Sequence, residues 1–342
     1  MSVENSLTGK GGKVLVTGGT GFIGSYIIKE LVEKNYSVRA LRRTGSNLPF
    51  FIPTEIFNSI EWIEGDILDL VSLEESMCNI DIVIHSAGMI SFHKSDKNQM
   101  YQVNIQGTAN IVNTMIEKNI PRLIHVSSIA ALGRTKLESH VSEEKNWDDD
   151  KNNTPYAISK YRAEMEVWRG IGEGLSAVIV NPSTVLGYGD WNNSSCRIFK
   201  TIYDEFPWYT TGVNGFVDVQ DLARVIVLLM ESDIPKERFI VNGDNWNFQQ
   251  LFNTIADGFH KRHPKHKATP FLGYLAWKME GIKGFFSGKK PLLTKESARV
   301  AQSHTFFSND KLLAALPGFS FTPLQESIQK ACKKYLQTIN QA

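Results

Sequence analysis

Tyr156 and Lys160, four residues apart in the run TPYAISK, are the residues whose types and spacing point most directly to chemistry. On a helix opening at Pro155 with Thr154 as N-cap, that separation sets phenol and ammonium on one face. A free phenol, with a pKa of about 10, neither gives nor takes a proton readily at neutral pH. A neighbouring ammonium favours the phenolate and draws that value down, so the pair could serve as acid/base on a carbonyl or carbinol oxygen. Tyr and Lys four apart are also commonplace on helices, so the pair needs partners. Ser127 and Ser128 in LIHVSSIAALG close an apolar run, and their hydroxyls could hydrogen-bond the same substrate oxygen; the plainer reading is the polar start of a loop.

The stretch KVLVTGGTGFIGSYII, from Lys13, supplies a second kind of site. Val14 to Val16 is an apolar run, glycines follow, and Phe22, Ile23, Tyr26, Ile27 and Leu31 then recur at helical spacing. A glycine turn between strand and helix lets the backbone approach a pyrophosphate at the positive helix N-terminus, so dinucleotide binding is expected. Gly19, Gly21 and Gly24 spell G-x-G-x-x-G, while Gly18, Gly21 and Gly24 spell G-x-x-G-x-x-G, and the stretch alone leaves the frame open. From Asn35 to Thr54 there is no acidic residue, whereas Arg39, Arg42 and Arg43 cluster at the end of the second strand. A 2′-phosphate calls for Arg where a ribose 2′-hydroxyl calls for a carboxylate, so NADP is the preferred cofactor and NAD the other. Arg42 and Arg43 stand just past the strand as phosphate clamps, with Ser46 an extra donor; Arg39 reads as a solvated face residue. Asp66 in EGDILD has two readings, an acceptor for the adenine amino group and a helix N-cap.

The elements that must carry these residues alternate. Strands are expected at Tyr36 to Leu41, Ile60 to Ile63, Ile80 to His85, Arg122 to Val126 and Leu175 to Val180, with helices at Met100 to Lys118 and from Pro155 to about Gly170. That rhythm predicts an α/β fold, a Rossmann-like doubly wound parallel sheet with its ligand-binding edge at the strand ends. Beyond Asn181 the rhythm breaks into NPSTVLGYGDWNNSS, and a helix from Val219 to Met230 plus the strand RFIVNG return to the sheet. The division expected is a dinucleotide-binding domain at 13–181 plus about 216–243, and a smaller, mostly helical substrate lobe at about 182–215 plus 244–340.

Composition narrows the partners. At 342 residues, 42% hydrophobic and 21% charged, with a formal net charge of +1, the chain offers no electrostatic argument for nucleic acid or an anionic membrane. Cys78, Cys196 and Cys332 are odd in number and far apart, so neither a disulfide framework nor a metal cluster is expected, and a reducing cytoplasm fits. The N-terminus has no signal-peptide core, and no run approaches the roughly 18 apolar residues of a membrane span.

With TGGTGFIG, HSAG at 85–88, VNIQGTANIV from Val103, VSS and the Tyr156 to Lys160 pair in order, the chain resembles the extended short-chain dehydrogenases/reductases, the NAD-dependent epimerase/dehydratase family. The family frame is G-x-x-G-x-x-G, which adopts Gly18, Gly21 and Gly24. The resemblance implies Tyr156 as acid/base, Lys160 lowering its pKa and binding ribose, Ser128 polarising the substrate oxygen and Asn104 supporting the network. It implies a cofactor site of Gly18, Thr20, Gly21, Phe22, Ile23 and Gly24 in the turn, Arg42, Arg43 and Ser46, Asp66 and Ile67 around adenine, Ser86, Ala87, Lys160, Pro182 and Val185. Helices bearing 100–118 and 156–170 often pair in the family, which makes a homodimer possible.

Two branches of that family compete. Nucleotide-sugar epimerases and dehydratases show R-P-x-N-V-Y-G-P-G and an Arg before F-x-V-x-D, both serving phosphates; here Thr184 and Asn214 stand where that Asn and that Arg would lie. A diphosphate without those partners would be poorly bound. The branch similar to dihydroflavonol reductases and 3β-hydroxysteroid dehydrogenases carries V-R-A-x-x-R, which VRALRR matches with Arg43 in the 2′-phosphate position. Gly133 departs from it, since plant flavonoid reductases have Asn there, so a flavonoid substrate is not implied. The expectation is an oxidoreductase moving hydride between nicotinamide and a carbonyl or hydroxyl carbon of a small, rather apolar molecule. The alternatives are a sugar-nucleotide epimerase or dehydratase using bound NAD, and a cofactor-sensing protein without turnover.

Three stretches stay open to a bland reading. PFLGYLAWKMEGIKGFFSG from Pro270 is a pocket-lining or membrane-touching helix or a packed one, and Trp191, Phe206, Trp208 and Tyr209 are pocket or core. His260, His263 and His266 read as a solvated basic loop rather than metal ligands, because Pro264 breaks the helix that would align them.

Overall fold

Successive short strands that are apolar on both faces build the central layer, as a parallel sheet covered by helices requires. A computed structural model describes residues 12–133, 138–148, 153–269 and 301–341. Strands β1 (Lys13–Thr17), β2 (Ser37–Arg42), β3 (Glu61–Glu64), β4 (Ile82–His85), β5 (Arg122–Val126), β7 (Ser176–Pro182) and β11 (Lys236–Val241) form one seven-stranded sheet, ordered β11-β7-β5-β4-β1-β2-β3 and parallel throughout. The chain winds outward from β1 to β3 and resumes at β4 on the other side of β1. That reversal opens a crevice at the carboxyl ends of β1 and β4, where doubly wound folds take their ligands.

Alternation along the strands divides the core. Val14, Val16, Ile84, Ile124, Val126, Val178 and Val180 face α1 (Phe22–Glu33) and α8 (Val219–Glu231). Leu15, Val83, Leu123, Ala177 and Ile179 face the helices of the other side, α3 (Leu70–Ser76), α5 (Gly107–Glu117) and α6 (Pro155–Gly172). The short helices α2 (Thr54–Asn58) and α4 (Lys97–Tyr101) precede β3 and α5, and a π turn at Gln102–Gln106 joins α4 to α5 where the sequence suggested one unbroken helix from Met100.

Arg39 is buried rather than solvated: its guanidinium donates to the carbonyls of Ser76 and Cys78 and pairs with Glu61 at 3.0 Å. It thereby satisfies the orphan carbonyls at the end of α3, where a cation also suits the helix dipole. Arg122 serves α8 in the same way, through the carbonyls of Leu229 and Ser232.

The second lobe contains more sheet than helical patterning suggested. Strands β12 (Asp244–Asn247), β10 (Val213–Asp218), β14 (His304–Phe307) and β6 (Glu138–Val141) lie side by side, β8 (Thr184–Leu186) pairs with β10, and β9 (Trp208–Tyr209) pairs with β13 (His266–Lys267). Its core packs α7 (Arg197–Tyr203), α9 (Phe248–Gly258) and α11 (Leu324–Gln341) through Phe199, Leu251, Ile255, Ile328 and Tyr335, while α10 (Asp310–Ala315) lays Leu312 against the first core. β6 comes from the segment before α6, within the range expected for the dinucleotide-binding domain, and β10 straddles the expected boundary at about 216. The aromatic segment from Pro270 lies outside the described residues, as do residues 149–152 ahead of α6.

Candidate active site

The glycine turn closes against the start of the loop after β4. Gly18 has φ +72°, and a Cβ there would lie 2.6 Å from the Ala87 backbone nitrogen; a Cβ on Gly24 would overlap the Gly18 carbonyl. Only glycine fits either position, whereas the closest contact of a Cβ on Gly19 would be the Cδ1 end of Ile28, which can shift. The geometry therefore selects the frame of Gly18, Gly21 and Gly24. Gly21 is the N-cap of α1 and offers no side-chain cap, so the first amides of that helix, beside half-buried Thr20, Phe22 and Ile23, face outward without a partner of their own element. This cradle fits a pyrophosphate. Thr17 braces it from below, its hydroxyl accepting from Ala87 N at 3.3 Å, while Ser86 N donates to the Thr17 carbonyl.

At the end of β2, Arg42 lies over the Trp62 ring and 3.7 Å from Glu64. Arg43 is exposed, and its guanidinium has no partner among the described residues. The backbone turns there, with Ser46 N on the Arg43 carbonyl and Gly45 at φ +76°. Asp66 is not the cap of α3. Asp69 holds that position, accepting from Val71 N and Ser72 N, and Asp66 instead accepts from Leu68 N at 3.0 Å in a local turn beside buried Ile67. Its N-cap reading is thereby removed.

Thr154 caps α6 as its sequence predicts, accepting from Ala157 N at 3.1 Å, with Pro155 in the first turn. Tyr156 is half-buried, edge-on to Phe92 with centroids 5.9 Å apart. One turn on, Lys160 is 6% exposed and its Nζ donates to the Val126 carbonyl at 3.0 Å. Burial pushes its ammonium down to about 8, against the opposing pull of Glu164. A Cβ on Gly88 would sit 3.8 Å from that Nζ, so the ammonium lies beneath the HSAG loop and next to the crevice. Ser128 caps the 3-10 turn Ile129–Leu132 by accepting from Ala130 N, which leaves its own hydrogen to be donated. Ser127 is not its equal. That hydroxyl is buried and donates to Glu164 Oε1 at 2.5 Å, away from any substrate.

Asn104 sits inside the π turn, a bulge of the kind often found at functional sites. Its amide accepts from Met89 N at 2.7 Å and donates to Met89 O and to Ser159 Oγ, each at 2.9 Å. It clamps the loop after HSAG to α6 between Tyr156 and Lys160. Pro182 and Val185, on β7 and β8, are buried at the far wall.

On the substrate side, Asn214 Nδ2 donates to Thr184 Oγ1 at 2.8 Å. The two positions that would hold cations and amides for a sugar diphosphate thus satisfy each other as a neutral pair. Gly133, at φ +78°, faces Trp147 and Lys145, and Trp147 stacks on Tyr161 with centroids 4.1 Å apart. Trp191 belongs to the lobe core, stacked on Tyr335, whereas Phe206 and Trp208 are 45% and 37% exposed. His263 pairs with Asp257 at 2.6 Å, and among the described residues no group of three or more candidate ligands could hold a metal.

The buried carboxylate of Glu164 escaped sequence reasoning. So did His85, whose ring bridges Thr17 and Thr108 at 2.7 and 3.0 Å. A Glu two turns after Tyr156 resembles any solvated helix residue; the only signal was its place on the Tyr156 and Lys160 face.

The sequence and the fold are shared with known proteins. The chain belongs to the NAD dependent epimerase/dehydratase family, whose model matches residues 14–242, and with it to the NAD(P)-dependent oxidoreductases of the extended short-chain dehydrogenase/reductase type. It is 28% identical over 310 residues, 88% of each chain, to a putative dihydroflavonol 4-reductase of Synechocystis sp.. To a cinnamoyl-CoA reductase 1 of Petunia hybrida it is 31% identical, over 66% of this chain and 71% of the other. The crystal structure of gox2253 superimposes with a TM-score of 0.80 at 28% identity, covering 95% of this chain and 98% of that one.

Proposed function

We propose that the protein is an NADP-preferring carbonyl reductase or alcohol dehydrogenase acting on a small, rather apolar substrate. The seven-stranded sheet and its helices would hold the dinucleotide, and the substrate would be taken by the lobe assigned to 182–215 plus 244–340. The observation that carries this reading is the buried Lys160 ammonium one helical turn from Tyr156. Names of relatives that are reductases support it, as does the neutral Thr184–Asn214 pair in place of diphosphate ligands.

The amides at the start of α1 and the Gly18, Gly21 and Gly24 turn would receive the pyrophosphate, with Ile67 and Asp66 against adenine and Arg43, helped by Arg42 and Ser46, on a 2′-phosphate. Ser86, Ala87, Pro182 and Val185 would line the rest of the cleft. Bound there, the dinucleotide supplies or accepts hydride. Ser128 Oγ donates to the substrate oxygen and polarises the carbonyl. Tyr156 gives that oxygen its proton in reduction and removes it in oxidation, while Lys160 holds the phenolate form within reach and binds ribose hydroxyls. Asn104 keeps the loop and α6 in register.

The test is a spectrophotometric panel of aldehydes and ketones with NADPH and NADH. Turnover of an apolar carbonyl with NADPH is expected, and Tyr156→Phe should lower kcat by about 100- to 10,000-fold with nucleotide affinity retained. Tightly retained NAD together with epimerisation of a UDP-sugar would overturn the reading. A reducing cytoplasm suits the three cysteines, none of them in a disulfide, and no described helix is long and apolar enough to cross a membrane. Pairing through α5 and α6, where Met165 is left 37% exposed, would make the molecule a homodimer, which sedimentation can test.

A further inference from the structure

Glu164 lies one turn beyond Lys160 on α6 and is completely buried. Oε1 accepts from Ser127 Oγ at 2.5 Å and from Asn181 Nδ2 at 2.6 Å; Oε2 is 3.4 Å from Arg238 Nη1. Asn181 Nδ2 also donates to the Ser128 carbonyl at 2.8 Å. The carboxylate is thus joined to the backbone of the substrate-polarising serine by a single amide, and to its neighbour by a hydroxyl. The Asn181 and Arg238 nitrogens can only donate, which favours the ionised carboxylate although burial raises its pKa.

We propose that Glu164 is a positioning residue, resting on the oxidoreductase reading above: it fixes the Ser127–Ser128 turn through Ser127 and Asn181, and its charge keeps the Lys160 ammonium protonated beside Tyr156. The groups around this pair are few. His85 of β4 and His125 of β5 feel the Lys160 charge and are kept neutral by burial, Asn104 Oδ1 and Lys160 Nζ both approach Gly88, and Tyr156 stands one turn earlier on α6. Arg238 of β11 pairs with Glu164 and is tied in turn to the Glu143 carbonyl. No other described carboxylate pulls on Lys160. Without it the ammonium gives up its proton more readily, and the phenol loses the cation that favours its ionised form.

The experiment compares wild type, Glu164→Gln and Ser127→Ala, the last removing the carboxylate's shortest hydrogen bond but not its charge. Two quantities are read: the pH dependence of kcat for carbonyl reduction, and the phenolate absorbance step at 295 nm that disappears in Tyr156→Phe. Glu164→Gln should move the Tyr156 step up by about one pH unit and, because protonated Tyr156 is the acid in reduction, carry the alkaline limb of kcat up with it. Ser127→Ala should move both the same way by less, and it serves alone should the glutamine variant not fold. A kcat lowered equally at every pH, with the Tyr156 step unmoved, would mean a purely structural role and overturn the inference. A wild type with no carbonyl turnover and no Tyr156 step would instead sink the oxidoreductase reading, and this inference with it.

Discussion

Arg43 shows how much one exposed side chain can decide. It stands at the end of β2 with its guanidinium unpartnered among the described residues, while Arg39 is spent on the end of α3 and Arg42 on Trp62 and Glu64. Its charge is therefore the freer of the two, Arg43 and Arg42, for a 2′-phosphate. Arg43→Ala should weaken NADPH by about 10- to 100-fold, the scale of one charge-assisted contact, and change NADH by less than about threefold. Equal losses for both nucleotides in fluorescence titrations would remove the clamp. What could be read at this scale follows a physical rule. The placement of Tyr156 and Lys160 one turn apart on α6, and of Gly18 in a left-handed turn, was legible because covalent spacing and backbone conformation constrain them locally. Arg39, Ser127 and Glu164 were not, because whether a polar residue on a strand or helix is solvated depends on which distant carbonyl, carboxylate or amide lies opposite.

The same limit operates between elements. The βα rhythm predicted a doubly wound parallel sheet, and the structure has seven strands parallel throughout. Nothing in that pattern said that two histidines would be enclosed between β4, β5 and α5. His85 and His125 lie with ring centroids 5.2 Å apart; burial, then the Lys160 charge, pushes His85 down to about 3 and His125 well below its usual value. Both rings are neutral in the folded protein at pH 5, whereas in the unfolded chain they bind protons below about 6.5. The unfolded state then binds more protons, so stability is full above that pH and falls as the pH drops toward 3, by roughly 1.4 kcal/mol per unit for each ring. Neither nitrogen of His125 has a hydrogen-bond partner among the described residues, so an apolar replacement forfeits no bond there. His125→Leu should leave the fold intact and reduce this acid loss by about half, measured by urea unfolding at pH 4 to 7. A variant as acid-sensitive as wild type would show that the buried ring is not held neutral.

Across the whole molecule, a column of rings connects the dinucleotide turn to the second lobe. Phe22, the first residue of α1, meets Tyr26 and Phe51 edge-on, and Phe51 meets Tyr188, which packs edge-on against Tyr335 of α11. Tyr26 also donates its hydroxyl to the Tyr188 carbonyl at 2.7 Å, and a Cβ on Gly189 would touch the Phe22 ring. Ordering the turn around a nucleotide therefore presses on the residues that hold the lobe core together. A ligand present at 100 times its Kd stabilises the folded state by about 2.7 kcal/mol, which slows exchange of the most protected amides by roughly 100-fold. In the intact protein, NADPH should slow α1 and the α11 amides around Tyr335 alike. Tyr188→Ala removes the central ring and lets the lobe open while the Rossmann sheet stays folded. NADPH should then slow α1 as before but α11 by less than about threefold. Slowing of both helices by the same factor in that variant would mean that the lobes are coupled by backbone alone and that the ring column carries nothing between them.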